Sequence, residues 1–290
     1  MNEGLQLGAR AHELARALLD GFKHHELLTY ASAISFQILT AIIPFALFVL
    51  AVAGLLDLNS VWQNHLEPEI QANVSAAVFA VISNAVSKVF GGRQWLWATV
   101  GGGLALWQVS GAVRTVMRAL GRIYGAPSER PFFKRYAVSF VLSIEVGACF
   151  ILAALCLLLA PFISVADPGV AWGAFAFVVR WALAGGLLFL AVGLLVRHAP
   201  ATAQPLPWVS LGAALVIGLW AIVSLGFYFY LTTIASYESA FGSLAVAIVV
   251  MAYLYISTTV FLFGTQLDAI IRAQATGALS GAGPDFHERS

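Results

Sequence analysis

Charge is what this sequence most lacks. Asp, Glu, Lys and Arg make up 10% of its 290 residues, against about 25% in an ordinary soluble domain. So few charges cannot coat a water-soluble globule of this length, and the contiguous apolar surface left over would aggregate, which nearly excludes a soluble enzyme. Neither sign is in surplus: 15 basic and 14 acidic side chains give a net charge of +1. The basic field on which nucleic-acid binding depends is therefore missing, and no nucleic-acid partner is expected. Cysteine is nearly absent as well. Cys149 and Cys156 stand seven apart in one apolar run, where they share a helix face and cannot bridge each other; they read as reduced packing residues. The six histidines, His12, His24, His25, His65, His198 and His287, are scattered and never form an HExxH pattern. A metal-dependent nuclease needs clustered His and carboxylate ligands, so neither a metal site nor nuclease activity is expected. No phosphate-binding glycine loop follows a strand and no nucleophile-base set is evident, so the chain reads as no enzyme, with no cofactor.

Long apolar runs are what is there. The set AVILMFWYC accounts for 60% of the residues. Six segments reach the roughly 20 residues that a helix needs to cross a bilayer, about 28–56, 95–118, 136–163, 171–196, 206–232 and 243–271. Lipid demands that backbone polar groups be satisfied within the chain, and runs this long exceed barrel strands, so the fold class is an all-α membrane protein with six transmembrane helices. The first run is about twice a signal h-region and lacks a clear cleavage site, so it reads as a retained span. The 57–94 connector opens a helix at Glu67-Pro68-Glu69, acidic residues at the positive dipole end. Behind it Ile70, Val74, Val78, Val81, Ile82 and Val89 recur at helical spacing, broken by Asn73, Asn84, Ser87 and Lys88. That pattern predicts an amphipathic helix on the membrane or capping the bundle. Leu14, Leu18 and Phe22 against Arg10, Arg16 and Lys23 predict another at the N-terminus. Residues 1–275 thus read as one membrane domain, and the Gly, Ser and Pro-rich 276–290 as a disordered tail.

Charge placement tests this topology separately, because cytoplasmic loops collect Lys and Arg. With six alternating spans, Arg114, Arg118, Arg122, Arg130, Lys134 and Arg135 fall on the side that also holds Arg10, Arg16, Lys23, Arg197, Arg272 and Arg289. Only Lys88 and Arg93 face the other side, with Arg180 inside a span. Both termini are therefore expected in the cytoplasm. Phe227, Tyr228, Phe229, Tyr230, Tyr237 and Phe241 gather at the opposite ends of spans five and six, as an interfacial belt would.

Three groups could carry function. Glu145 and Arg180 lie within spans three and four, each about 13 Å from its span's start at 1.5 Å per residue. The spans are joined by Asp167-Pro168-Gly169 and should be antiparallel neighbours, so an intramembrane ion pair is expected, serving either as a clamp or as a substrate or proton contact. Ser35, Gln37 and Thr40, with Ser32, put polar groups into span one, and Pro44 removes a hydrogen bond to the Thr40 carbonyl and favours a kink. With Gln108 of span two they are candidates to line a polar cavity, or to make ordinary interhelical bonds. Arg114, Arg118 and Arg122 recur every fourth residue as one basic stripe, suited to lipid phosphates, as passive anchors or as a headgroup site. Gly101, Gly102, Gly103 and Gly111 permit close helix approach. Asp268 and Arg272 stand one turn apart and should pair locally.

Three stretches carry a resemblance. The run Tyr30-Ala-Ser-Ala-Ile-Ser-Phe-Gln-Ile-Leu-Thr-Ala-Ile-Ile-Pro44 comes first. Ala119-Leu-Gly-Arg-Ile-Tyr-Gly125 with Glu129-Arg-Pro and Lys134-Arg135 is second. The third is Phe241-Gly-Ser-Leu-Ala245 leading through Tyr253-Leu-Tyr255 to Leu262-Phe-Gly264 and Asp268. In that order they resemble the first span, basic cytoplasmic loop and last span of the YihY/virulence factor BrkB family, over about residues 10–272. Thr265-Gln266-Leu267-Asp268 departs from the family's usual Ala-Glu after Gly264, so an acidic role there falls to Asp268 or is absent. Tyr253 stands where a Trp is common. The resemblance implies a six-span protein of the bacterial inner membrane, from a family linked with envelope integrity and serum resistance, proposed as lipid transporters and long named ribonuclease BN. The function expected is transport of a lipid or other amphipathic solute, with membrane lipids as partners. A non-transporting structural membrane protein is the alternative, and association with further copies or with envelope proteins is left open.

Overall fold

The computed structural model describes residues 16, 18, 20–57, 59–73, 76–126, 130–158, 170–201, 206–233 and 244–275. Every regular element among them is helical. In order these are α1 (Leu27–Leu55), a turn at Asn59–Val61 running into a π-helical turn at Trp62–Leu66, α2 (Glu67–Asn73), α3 (Ala76–Phe90), α4 (Gln94–Ile123), α5 (Phe132–Leu158), α6 (Val170–His198), α7 (Leu206–Thr233) and α8 (Leu244–Ala275). The 276–290 tail, the turn between α5 and α6, and Tyr237 and Phe241 lie outside the described residues.

Among the described residues, five helices are long and apolar enough to cross a membrane: Leu27–Leu55, Phe132–Leu157, Phe175–His198, Gly212–Tyr230 and Ala247–Gln274. The sixth expected span is α4, and it does not reach that apolarity. Its 30 residues span about 45 Å, but Gly101, Gly102, Gly103, Gln108 and three arginines dilute it. The outward faces are apolar where lipid would meet them: Phe150, Leu152, Phe175, Val178, Trp181 and Leu183 are all exposed.

The described chain forms two compact units. One comprises Ser32–Ala112 and Leu225–Ile256. Here α1 runs through Pro44 without interruption, and the Thr40 hydroxyl donates to the carbonyls of Phe36 and Gln37, both at 3.0 Å. Against this turn lie the glycines of α4. A Cβ at Gly101 would sit 2.9 Å from the Phe48 nitrogen and 3.0 Å from the Pro44 carbonyl oxygen, and one at Gly102 2.8 Å from the Phe48 ring, whereas Gly103 faces open space. Backbone therefore packs on backbone, the arrangement small residues allow between helices in lipid. In α3, Val86 and Val89 are buried while Asn84, Ser87 and Lys88 are exposed. The Phe227 and Tyr253 rings meet at 5.3 Å.

The other unit comprises Met1–Ala31, Val113–Ser224 and Ser257–Ser290. Within it α5 packs along α6, burying Ser139, Leu142, Val146, Cys149 and Ala153 on one stripe. The α7 and α8 backbones approach closely, a Cβ at Gly264 meeting Val216, and Trp220 Nε1 donates to Ser257 Oγ at 3.1 Å.

Gly101→Ala is expected to destabilise the protein by about 1–3 kcal/mol, since backbone must move to admit the methyl group. Gly103→Ala should be neutral or slightly stabilising. Thermal unfolding of the two variants in one detergent checks this, and equal melting temperatures would contradict the close-packing account.

Candidate functional site

The chemistry of the second unit starts from where α4 stops. Gly125 has a φ of 61°, Ala126 N donates to Gly121 O at 2.8 Å and Gly125 N to Arg122 O at 3.3 Å. This paired closure on a left-handed glycine ends the helix abruptly and sets Tyr124 at its last turn. The Tyr124 hydroxyl donates to Asp268 Oδ2 at 2.8 Å, and Arg272, one turn along α8, reaches the same oxygen at 2.5 Å. The Arg272 guanidinium also lies 5.1 Å over the Tyr124 ring. Asp268 is fully buried. Its carboxyl rests on Gly212, where a Cβ would come within 2.9 Å of Cγ. Burial first, then the Asp268 charge and hydrogen bond, push the Tyr124 phenol up, so it remains a donor throughout the physiological range. Two residues before Asp268, Gln266 Oε1 bonds His25 Nδ1 at 3.1 Å. Phe22 packs on Phe263 at 6.1 Å, so the segment before α1 is fastened to α8.

Beside this cluster, and within the same unit, is a cavity of about 290 Å³. Arg118, Arg122, Arg130 and Arg135 line it together with Tyr30, Met117, Gly121, Ala126, Ala199 and Ala201. Arg130 is part of the frame: it donates to the carbonyls of His198, Ala199 and Pro200 at 2.8, 3.1 and 2.6 Å, capping α6 with a charge that its dipole favours. Arg122 bonds Glu26 at 3.1 Å and lies 5.4 Å over Tyr30. Glu26 itself is held at a φ of 52°, a conformation that costs a side-chain-bearing residue roughly 1–2 kcal/mol and that turns the chain into α1.

The structure places the candidate residues as follows. Glu145 and Arg180 do not form an ion pair among the described residues. Glu145 is exposed, about 100° around α5 from Val146 on the buried stripe. Arg180 is half-buried on α6, with its guanidinium 5.7 Å over Phe177 and its buried Nε without a hydrogen-bond partner. The exposed face of α5 carries Glu145 away from the buried stripe that packs along α6. Ser35 is buried and donates to Ser32 O, and the Thr40 hydroxyl is likewise spent on its own helix. Gln37, Pro44 and Gln108 are half-buried. None of these five lines the arginine cavity, and they belong to the other unit. Of the arginine stripe, Arg118 and Arg122 reach the cavity, whereas Arg114 turns to α5, lying 4.4 Å over Tyr136 and bonding Ser139 Oγ at 3.3 Å. Tyr124, Arg130, Arg135 and Gly212 were not among the candidates. The Gly125 stop and the basic run after it were the signals for the first three; Gly212 had none.

Among the described residues no three His, Cys, Asp or Glu side chains gather as metal ligands. The sequence model of a family described as virulence factor BrkB matches residues 18–286. A Bacillus subtilis (strain 168) protein called ribonuclease-like protein YfkH is 24% identical over 266 residues, which is 88% of this chain and 94% of that protein. No solved structure matches the chain.

Tyr124→Phe should cost about 1–3 kcal/mol by taking one donor from a buried carboxylate. In a thermal-unfolding cycle with Asp268→Asn the two changes should couple by about 1 kcal/mol or more, and strict additivity would remove the bond from the stability account. His25 titrates below its ordinary value of 6.5, chiefly through burial; the Gln266 bond opposes the fall and His24 and Arg122 add to it. A depressed folded-state value means the unfolded chain binds the proton first, so stability present above pH 6.5 is lost as pH falls through the folded value. The melting temperature of the wild type should therefore fall more steeply on acidification than that of His25→Asn; parallel curves would refute this.

Proposed function

The chain belongs to the virulence factor BrkB family, and from that premise we propose that it moves a lipid or other amphipathic solute across the bacterial inner membrane. One observation carries the reading: a cavity lined by four arginines lies in the unit that holds the apolar helices α5 and α6 and most of α7. An amphipathic solute needs both a polar recess for its head and an apolar flank for its tail. The flank is at hand, since Leu28, Phe132 and Phe133 are exposed within a few residues of Tyr30 and Arg135.

In this reading α4 is the sixth span, its exposed Trp95, Leu96, Val100, Leu104 and Trp107 facing lipid, and α3 lies along the membrane surface. The arginine end faces the cytoplasm, as the concentration of Lys and Arg there favours, with both termini on that side. The protein acts without a cofactor and not as an enzyme. A ribonuclease role is not carried over from the name of YfkH, because the histidines of this chain are dispersed. A second reading, a structural membrane protein without transport, is favoured by one feature: the hydroxyls of Ser35 and Thr40 are satisfied within α1, and no polar path along that helix is needed to house them.

Headgroup-labelled lipid exchange between leaflets should run at least about tenfold faster in proteoliposomes than in protein-free vesicles, with or without an imposed proton gradient. Unchanged exchange across anionic and neutral lipids under both conditions would put the structural reading first.

A further inference from the structure

We propose that the arginine cavity is a binding site for a phosphate group, with the guanidinium groups of Arg118, Arg122, Arg130 and Arg135 as its charged lining. The proposal rests on the transport reading for its biological setting, but it stands on the cavity's own charge and size.

Four guanidinium groups line one recess. Glu26 is bonded to Arg122. Arg130 is committed to three backbone carbonyls, which fixes its position while leaving its charge in the wall. Cations held this way repel one another, and an anion relieves that repulsion. Guanidinium forks match phosphate oxygens pairwise, which a halide or a single point charge cannot exploit. Size narrows the ligand further. About 290 Å³ holds roughly ten waters at about 30 Å³ each, enough for a phosphorylated headgroup and too little for two acyl chains. The chains of a phospholipid would lie outside, against Leu28, Phe132 and Phe133, which are exposed at the same helix ends. Tyr30 and Arg122, both lining the recess, are held together by their stacked contact. A phosphate here can come from a membrane lipid or from a soluble phosphate compound, and the chemistry of recognition is the same.

Binding is to be measured by titration calorimetry on the full chain in a non-ionic detergent, with dioctanoyl phosphatidic acid, dioctanoylglycerol and inorganic phosphate as probes. Phosphatidic acid should bind and dioctanoylglycerol should not. Arg118→Gln and Arg135→Gln should each weaken phosphatidic acid binding about tenfold, while Arg93→Gln, outside the cavity, should leave it unchanged. Arg118→Lys and Arg135→Lys should retain part of the affinity, which separates lost charge from lost fold. Inorganic phosphate binding as tightly as phosphatidic acid would keep the phosphate site and remove the lipid as its ligand. Equal binding of dioctanoylglycerol, or phosphatidic acid binding unmoved by both Gln variants, would overturn the proposal whatever the leaflet-exchange assay shows.

Discussion

A buried carboxylate organises the unit that holds the cavity. Asp268 has no exposed surface, and an isolated charge in such a place would cost several kcal/mol. The chain offsets part of that cost at Oδ2, while Oδ1 is buried without a hydrogen-bond partner, and three separate parts accommodate the group. Arg272 supplies a countercharge from the next turn of the same helix, Tyr124 brings a hydroxyl from the end of α4, and Gly212 on α7 gives up its side chain to make room. Each part restricts a different helix, so the need to satisfy one carboxyl fixes three helix ends relative to one another within that unit.

The arginine cavity follows from the same restriction. Once Tyr124 is tied down, the Gly125 turn sets the direction in which the chain leaves α4, and Arg130 donates to the carbonyls at the end of α6. Glu26, which bonds Arg122, is held in a left-handed conformation between the segment fastened to α8 through His25 and Phe22 and the start of α1. Local strain of this kind persists only where the surroundings over-determine it. The Arg122–Glu26 contact, exposed as it is, contributes little energy by itself. Its effect is positional, because it keeps one guanidinium at the wall.

Much of the fold was legible because hydrophobic runs are long and their punctuation is strong. The five apolar helices and the start of α2 at Glu67 follow from length, Pro and acidic residues. The Asp268–Arg272 pair followed from spacing along one helix. The site was less legible, for reasons that particular residues make plain. Depth along a span can be counted from sequence, so Glu145 and Arg180 were matched in height; the rotation of α5 about its axis depends on which stripe its neighbours bury, and Leu142, Val146 and Cys149 decided it. Ser35 and Thr40 looked available to a cavity, yet a hydroxyl on a helix has its own carbonyls within reach. Arg118 and Arg122 were visible as a stripe, but the walls they share with Arg130, Arg135, Ala199 and Tyr30 come from four stretches of chain, and no local pattern announces such a meeting.

The contact between Asp268 and Gly212 has a consequence for the history of the chain. The carboxyl occupies the volume that a β-carbon at position 212 would fill, so neither position is free to drift alone. A lineage that loses the acid gains space for alanine or serine on α7, and one that first acquires a side chain there must shorten or remove the acid. The two positions, 56 residues apart in sequence, should therefore read as a single inherited unit, one small residue and one acid exchanged together.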